Sequence, residues 1–203
     1  GEVNIDMIAG PSEIGILADD SAKANYIAID LLSQAEHGYD SQVILLSTKE
    51  EIIEQTFTEI EAQLSALPRK EFAANALKNS KFILVGSNEE AIELLNEYGA
   101  EHLILACENP EDFADSISNA GSIFLGHFTP ESAGDYASGT NHTLPTNGFA
   151  KAYSGVNLDS FVKKITLQAI SQAGLANIGP SIIQMAEAES LQAHANAVKI
   201  RLS

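Results

Sequence analysis

Short apolar runs alternate with segments of helical period along most of this chain. Val43-Ile-Leu-Leu46 is typical of a buried strand, and apolar residues recur at i, i+3, i+4, i+7, i+8 and i+11 from Ala24 to Ala35. Further strands are predicted over residues 3–8, 14–18, 82–85, 103–106 and 122–125. Strands that alternate with helices of this length form βαβ units. The sequence therefore predicts an α/β fold: a mainly parallel, Rossmann-like sheet flanked by helices.

Capping residues and breakers predict where the helices begin and end. Asp20 or Ser21 is expected to cap the first helix, and Ser87 a later one that stops at Gly99. The other helices are expected over residues 48–67, from there to 79, near 159 and over 180–202. We expect two regions: residues 1–155 as the α/β catalytic part, and residues 156–203 as a small helical C-terminal region that forms a dimer.

Composition narrows the possible partners. The net charge is −17, which argues against nucleic acid or an anionic membrane as a partner. No apolar run approaches the roughly 18 residues that a membrane span needs. There is a single cysteine, Cys107, so a disulfide framework and a thiolate zinc site are excluded. These features favour a cytoplasmic protein.

The first residues have the pattern of a strand without a lead-in. The chain opens with Gly1-Glu-Val-Asn-Ile-Asp-Met-Ile8, which lacks an initiator methionine. We therefore expect the sequence to be part of a longer protein.

The segment Glu131–Gly148 is polar although it lies between two apolar-patterned regions. A long polar loop inside a domain is usually either disordered or functional. This segment carries Asp135, Tyr136 and His142, with Gly134 and Gly139 where backbone can approach a ligand. A disordered linker seldom contains that set of groups, so we predict that the segment forms the floor of an active site.

Gln34 and His37 are three residues apart near the end of the first predicted helix. Their side chains are about 60° apart around the helix axis, so they could bind one metal ion. Both lie off the apolar stripe. The alternative is a surface glutamine beside a histidine that the helix dipole stabilises, and taken alone this pair favours the alternative.

Glu101-His102 lies where a helix ends and a strand begins. Carboxylate and imidazole are common acid–base groups, but ligands of parallel sheets usually bind at the carboxyl ends of strands. A turn acid beside a core-edge histidine is equally consistent with this pair. Ser12 does follow a predicted strand, and its alternative is a plain turn serine.

The remaining histidines are less informative. His127 has no polar neighbour in sequence and is interpreted as structural. Glu189 and His194 are five residues apart, about 140° around a helix, so one unbroken helix could not bring both to one point. Any metal must be held by nitrogen and oxygen donors. No G-x-G-x-x-G is present, so the usual dinucleotide fingerprint is absent.

Taken together, five motifs resemble histidinol dehydrogenase, in the same order along the chain. They are Ala9-Gly-Pro-Ser-Glu13, Leu31-Leu-Ser-Gln-Ala-Glu-His-Gly38, Gly99-Ala-Glu-His-Leu103, the segment from Pro130 to Thr146, and Leu191-Gln-Ala-His-Ala-Asn-Ala-Val198. The fourth is highly specific. Members of that family are about twice as long, so the chain resembles their C-terminal half.

The resemblance implies a zinc enzyme that oxidises L-histidinol to L-histidine with NAD. The positions that match the zinc ligands are Gln34, His37, Asp135 and His194. Those ligands, together with His102, also match substrate contacts, as do Ser12, His142 and Glu189. Glu101 and His102 match the catalytic pair. The resemblance further implies a homodimer in which the C-terminal helices complete the partner's site, so Glu189 and His194 need not converge within one chain.

Two differences from the family qualify these expectations. Ala100 stands where many members have proline, which loosens the turn before Glu101. The half that carries most NAD contacts is missing, so this chain alone is expected to be inactive. The alternatives are a related zinc dehydrogenase of another amino alcohol or diol, and a non-catalytic zinc-binding dimerisation fragment.

Overall fold

A computed structural model describes residue 8 and residues 10–203 of the chain. The strand predicted over residues 3–8 lies almost wholly outside the described residues. Five strands form one parallel sheet in the order β3-β2-β1-β4-β5. They are β1 (Glu13–Ala18), β2 (Gln42–Ser47), β3 (Lys81–Leu84), β4 (His102–Ala106) and β5 (Ser122–Leu125). The predicted α/β fold with a parallel sheet is confirmed.

Helices cover both faces of this sheet. They are α1 (Ala24–Ala35), α2 (Glu50–Leu64), α3 (Lys70–Lys78), α4 (Asn88–Tyr98), α5 (Glu111–Ala114) and α6 (Glu131–Tyr136), with short 3₁₀ turns at Phe149–Lys151 and Leu158–Phe161. Along β1, Ile14 and Ile16 join the core beneath α1, while Leu17 joins the core beneath α4. Alternate residues of a strand point to opposite faces, which is why the central strands are apolar along most of their length.

The predicted start of the first helix is wrong. Helix α1 begins after Lys23, which makes no side-chain cap. Neither Asp20 nor Ser21 caps it, because Asp19 Oδ1 binds both the backbone N–H and the hydroxyl of Ser21 within the preceding turn. In contrast, the predicted cap at Ser87 is confirmed: its Oγ accepts from the N–H of Glu90 at 3.2 Å. Gly99 ends α4 with a φ of 65°.

Residues up to Val162 form one compact unit, and Lys163–Ser203 form a second. The second unit contains α7 (Gln172–Ala188) and α8 (Gln192–Leu202), which pack against each other. The prediction that its helices begin at about Pro180 is wrong, because the Ser171 hydroxyl caps α7 and Pro180 lies inside that helix. Many apolar side chains of this unit are exposed, including Ile165, Leu167, Met185 and Ile200. Within the described residues, no helix is both long enough and apolar enough to cross a membrane.

Candidate active site

The strands β1 and β4 bring a set of polar side chains together at their amino ends. The two strands are neighbours, and Ile14 pairs with His102 in the register of the sheet. Glu13 and Glu101, one residue earlier on each strand, are therefore adjacent. All three acid–base side chains here are buried, with 6% exposure for Glu13, 7% for Glu101 and 4% for His102. The group lies at the amino ends of the strands, whereas ligands of parallel sheets usually bind at the carboxyl ends.

The ring of His102 is held in one orientation by the backbone of β1. Its Nδ1 lies 3.2 Å from the carbonyl oxygen of Glu13. A carbonyl can only accept, so Nδ1 carries the proton and the neutral ring leaves Nε2 as a free acceptor. Nε2 is buried without a hydrogen-bond partner among the described residues. It lies 3.7 Å from Asp135 Oδ1. This is the arrangement expected of a general base.

Glu101 is fixed by the same strand. Its Oε2 accepts from the backbone N–H of Glu13 at 3.0 Å and lies 3.5 Å from His102 Nδ1. Gly121 lies directly against the backbone carbonyl of Glu101, since a Cβ there would be 2.5 Å from that oxygen. The interpretation of this pair as a turn acid and a core-edge histidine is therefore less favoured than an acid–base pair.

Three potential metal ligands converge beside His102. Ligand atoms of His37, Glu131 and Asp135 all lie within 4.8 Å of one another. Glu131 is 2% exposed, so its charge has little access to water. One buried and one half-buried carboxylate beside an imidazole suit a divalent cation with nitrogen and oxygen ligands. The residues present therefore fit zinc.

Gln34 borders this group, and it is not a surface residue. Its side chain is fully buried, which overturns the surface interpretation that the sequence favoured for it. His37, one turn later on the chain, is exposed, and its Nδ1 lies 3.4 Å from Ser12 Oγ. The structure thus brings together six of the predicted site residues: Ser12, Gln34, His37, Glu101, His102 and Asp135.

The electrostatics of the group follow from its burial. Burial raises the pKa of Glu131 to about 7, although the nearby His102 opposes the shift. Burial likewise raises the pKa of Glu13 to about 7. For His102 burial acts to lower the pKa, but the hydrogen bond with Glu101 and the charges of Glu131 and Glu101 outweigh it and the pKa is raised. Negative charge at this site is therefore compensated poorly by the protein alone.

The polar segment is not a loop throughout. Its first six residues form α6, which carries Glu131 and Asp135. The segment returns to β1 at Asn147, whose N–H donates to Glu13 Oε1 at 2.9 Å. His142 and Tyr136 are exposed, the latter by 86%. Glu189, at the end of α7, and His194, in α8, are exposed residues of the second unit.

Sequence reasoning missed Glu13 and Glu131. Glu13 directly follows Ser12, and its backbone holds both Glu101 and His102. Glu131 precedes Asp135 by four residues, a spacing that places two side chains on one face of a helix. That signal was available only if residues 131–136 were recognised as helical. His127, by contrast, has a distant partner, since its Nε2 lies 3.0 Å from Ser21 Oγ.

Comparison with known proteins identifies the family. The family model described as histidinol dehydrogenase matches residues 1–202. The chain belongs to the histidinol dehydrogenase family. It is 58% identical to histidinol dehydrogenase of Bacteroides thetaiotaomicron, over 100% of this chain and 47% of that protein. It is 51% identical to the chloroplastic histidinol dehydrogenase of Oryza sativa subsp. japonica, over 98% of this chain and 42% of that protein.

A solved histidinol dehydrogenase has the same fold. The crystal structure of the Elizabethkingia anophelis enzyme is 60% identical and superposes with a TM-score of 0.95, covering 98% of this chain and 46% of that chain. The chain thus spans about half the length of the histidinol dehydrogenases it matches. The predicted resemblance is confirmed, while the roles of the individual site residues remain predictions.

Proposed function

We propose that this chain supplies the acid–base and zinc-binding half of a dehydrogenase that oxidises L-histidinol to L-histidine through histidinal. This reaction is the last step of histidine biosynthesis. The proposal depends above all on the geometry of His102, whose Nδ1–H donates to the backbone carbonyl of Glu13 and whose buried Nε2 has no hydrogen-bond partner among the described residues. Family membership supports the choice of substrate.

His102 is the base of the alcohol step. Nε2 accepts the hydroxyl proton of histidinol as a hydride leaves its carbon. The hydrogen bond from Nδ1 to Glu13 fixes the ring, so the proton is taken by one atom only. A base placed in this way contributes about 10²–10⁴-fold to a rate.

Glu101 serves the aldehyde step. As a buried carboxylate held by the N–H of Glu13, it accepts a proton from water as the water adds to histidinal. The hydrate then has a hydroxyl and a hydrogen on one carbon, and a second hydride transfer gives the carboxylic acid. The two neighbouring residues therefore divide the two oxidations between them.

Zinc, when bound, would hold the imidazole and amino nitrogens of the substrate and so orient the alcohol. Gln34, His37 and Asp135 are the proposed ligands from this chain, and His194 is the fourth, contributed by a second copy of the chain. Glu131 lies in the same group of ligand atoms as His37 and Asp135. The donor set matches zinc sites without thiolate.

Ser12, His142 and Glu189 are the proposed contacts that distinguish histidinol from other amino alcohols. Ser12 is already beside the proposed ligand His37. Glu189 would reach the site of the second copy together with His194. The exposed apolar side chains of α7 and α8 support such a dimer, because surfaces of this kind usually mark contacts between proteins.

NAD accepts the hydride in this scheme. Most of its contacts are expected in the half of the family's length that this chain does not span. The acidic composition and single cysteine favour a cytoplasmic protein, while the rice relative is described as chloroplastic.

The test uses the full-length protein that contains this chain, supplied with zinc and NAD. L-histidinol is compared with an amino alcohol that lacks the imidazole. We expect NADH to form with L-histidinol and hardly at all with the second compound. Faster turnover of the second compound would show that another amino alcohol is the substrate. No turnover of either compound would contradict the proposal that the protein is a dehydrogenase.

A further inference from the structure

Glu131 is a buried acid for which the proposed reaction has no role. It is 2% exposed and lies in the first turn of α6. The Ser33 hydroxyl donates to its Oε2 at 3.3 Å. Burying a carboxylate costs free energy unless a neighbouring group pairs with its charge or donates hydrogen bonds to its oxygens. Gln34 is the neighbour that donates to the carboxylate oxygens of Glu131.

The oxygen and the NH₂ group of the Gln34 carboxamide both find hydrogen-bond partners in only one of its two orientations. Nε2 then donates to both carboxylate oxygens of Glu131 at 2.7 Å, and Oε1 accepts at 3.2 Å from the Glu13 N–H, which it shares with Glu101 Oε2. The reverse orientation would place oxygen against oxygen and N–H against N–H. Because the side chain is fully buried, no water can relieve such a mismatch.

This orientation decides whether Gln34 can bind a metal. A carboxamide coordinates through its oxygen, whereas its NH₂ group has only donors to offer. The oxygen has two lone pairs, and the N–H of Glu13 occupies one of them. The second lone pair stays free for a cation only while Nε2 is held elsewhere. Groups that orient a ligand in this way contribute to metal affinity without touching the metal.

We propose that Glu131 is a positioning residue of the zinc site, which holds the Gln34 carboxamide with its oxygen free to coordinate. The inference rests on the proposed function for the zinc ligands themselves. Its rival is direct coordination by Glu131, because a Glu131 oxygen lies within 4.8 Å of ligand atoms of His37 and Asp135. The two roles differ in one respect: only a positioning role depends on Gln34.

The experiment measures Co²⁺ affinity of the full-length protein by competition with a chelator. Glu131→Met removes the acceptor with little change in volume, and thermal unfolding of the variant checks that it folds. We expect it to weaken Co²⁺ binding by about 10- to 100-fold. Glu131→Gln keeps an acceptor oxygen for Nε2 and should restore most of the affinity. Glu61→Met, at an exposed position of α2, is the matched control and should bind as the wild type does.

The decisive arm repeats Glu131→Met in a Gln34→Met background. If Glu131 acts through Gln34, the second substitution causes no further loss, because coupled residues are not additive. An equal loss in both backgrounds would show direct coordination and overturn the proposal. So would unchanged affinity in Glu131→Met, or a Glu131→Gln variant as weak as Glu131→Met. If Gln34→Met binds no Co²⁺, a Gln34→Glu background takes its place, because a carboxylate offers an oxygen in either orientation and needs no neighbour to orient it; a further loss on Glu131→Met there would show direct coordination.

These affinities are independent of histidinol oxidation. A wild-type protein that binds Co²⁺ but does not oxidise histidinol would contradict the proposed function and leave the role of Glu131 measurable. A wild type that oxidises histidinol, with metal affinity unaffected by Glu131→Met, would contradict the positioning role alone.

Discussion

His102 Nδ1 donates its hydrogen to the backbone carbonyl of Glu13 across 3.2 Å. The backbone N–H of Glu13 donates to Glu101 Oε2 at 3.0 Å. One peptide segment at the start of β1 therefore orients both members of the catalytic pair. Because these contacts come from backbone, the geometry depends on how β1 and β4 are paired and on what holds the start of β1 in place.

The side chain of Glu13 is expected to hold that start in place. Glu13→Ala removes the acceptor of the Asn147 N–H, and leaving a partly buried donor unpaired costs about 1–3 kcal/mol. Glu13→Gln keeps an acceptor oxygen and should cost less. Urea unfolding measures both, with Glu108→Ala, at an exposed position, as the control. Equal losses for Ala and Gln would show that the charge matters rather than the hydrogen bond.

Gly121 is expected to be needed for the position of Glu101. A Cβ at residue 121 would be 2.5 Å from the Glu101 carbonyl oxygen and 3.1 Å from Leu144 Cβ. The backbone would have to shift, so Gly121→Ala should lower stability by about 1–3 kcal/mol and slow the aldehyde step in the full-length protein. Thermal unfolding and aldehyde oxidation rates measure the two effects. A variant with wild-type stability would contradict the close packing.

The metal-free protein should lose stability as pH rises from about 4.5 to 7. Glu13, Asp30 and Glu131 each have a pKa raised from 4.5 or 3.8 to about 7, so the folded state keeps protons that the unfolded state releases in this range. The raised pKa of His102 acts in the same direction, since its contribution is lost as pH rises through the folded value.

Asp30→Asn tests this pH dependence outside the proposed catalytic pair. Burial alone raises the pKa of Asp30. The amide cannot ionise, so the variant should be relatively more stable above pH 7, and its stability should fall less between pH 4.5 and 7. Urea midpoints across this range give the comparison. Asp112→Asn, at an exposed position, should behave as the wild type. If the urea midpoints of all three proteins fell equally between pH 4.5 and 7, Asp30 would not contribute to the pH dependence.

Zinc sites shared between two copies should be restored by mixing two defective chains. Full-length His37→Ala and His194→Ala should each bind zinc poorly as homodimers. In a mixed dimer one site regains both histidines and the other loses both, so half of the zinc sites should return. Metal content of the co-expressed, doubly tagged dimer measures this. No recovery would show that each chain builds its site alone.

The sequence predicted the sheet well because its three central strands, β1, β2 and β4, are buried on both faces. Val43 to Leu46 is a continuous apolar run between polar residues, and it lies within β2, which extends one residue further at each end. Helix α1 was predicted from its stripe, but its first residue was not. Asp19 accepts hydrogen bonds from the N–H of Ser21 and from the N–H of Glu108. These bonds hold Ser21 in the turn before the helix, and one of them comes from a residue far along the chain, so the sequence pattern does not show them.

Helix α6 was missed for a different reason. Gly134 disfavours a helix by its intrinsic propensity, and the surrounding residues are polar. In the structure a Cβ at 134 would be 2.7 Å from the ring of Phe124, so packing requires glycine there. Tertiary contact overrides propensity, and the four-residue spacing of Glu131 and Asp135 could not be recognised without that knowledge. Six site residues were still brought together as the motifs implied.

His102 Nε2 is proposed as the base that accepts the hydroxyl proton of histidinol. This role is tested most directly by NADH formation from L-histidinol in the full-length protein, comparing wild type with His102→Asn and with His127→Asn as the matched control. We expect two NADH for each histidinol in the wild type and the control, and a rate about 10²–10⁴-fold lower in His102→Asn. A His102→Asn enzyme that oxidises histidinol as fast as the control would show that His102 is not the base.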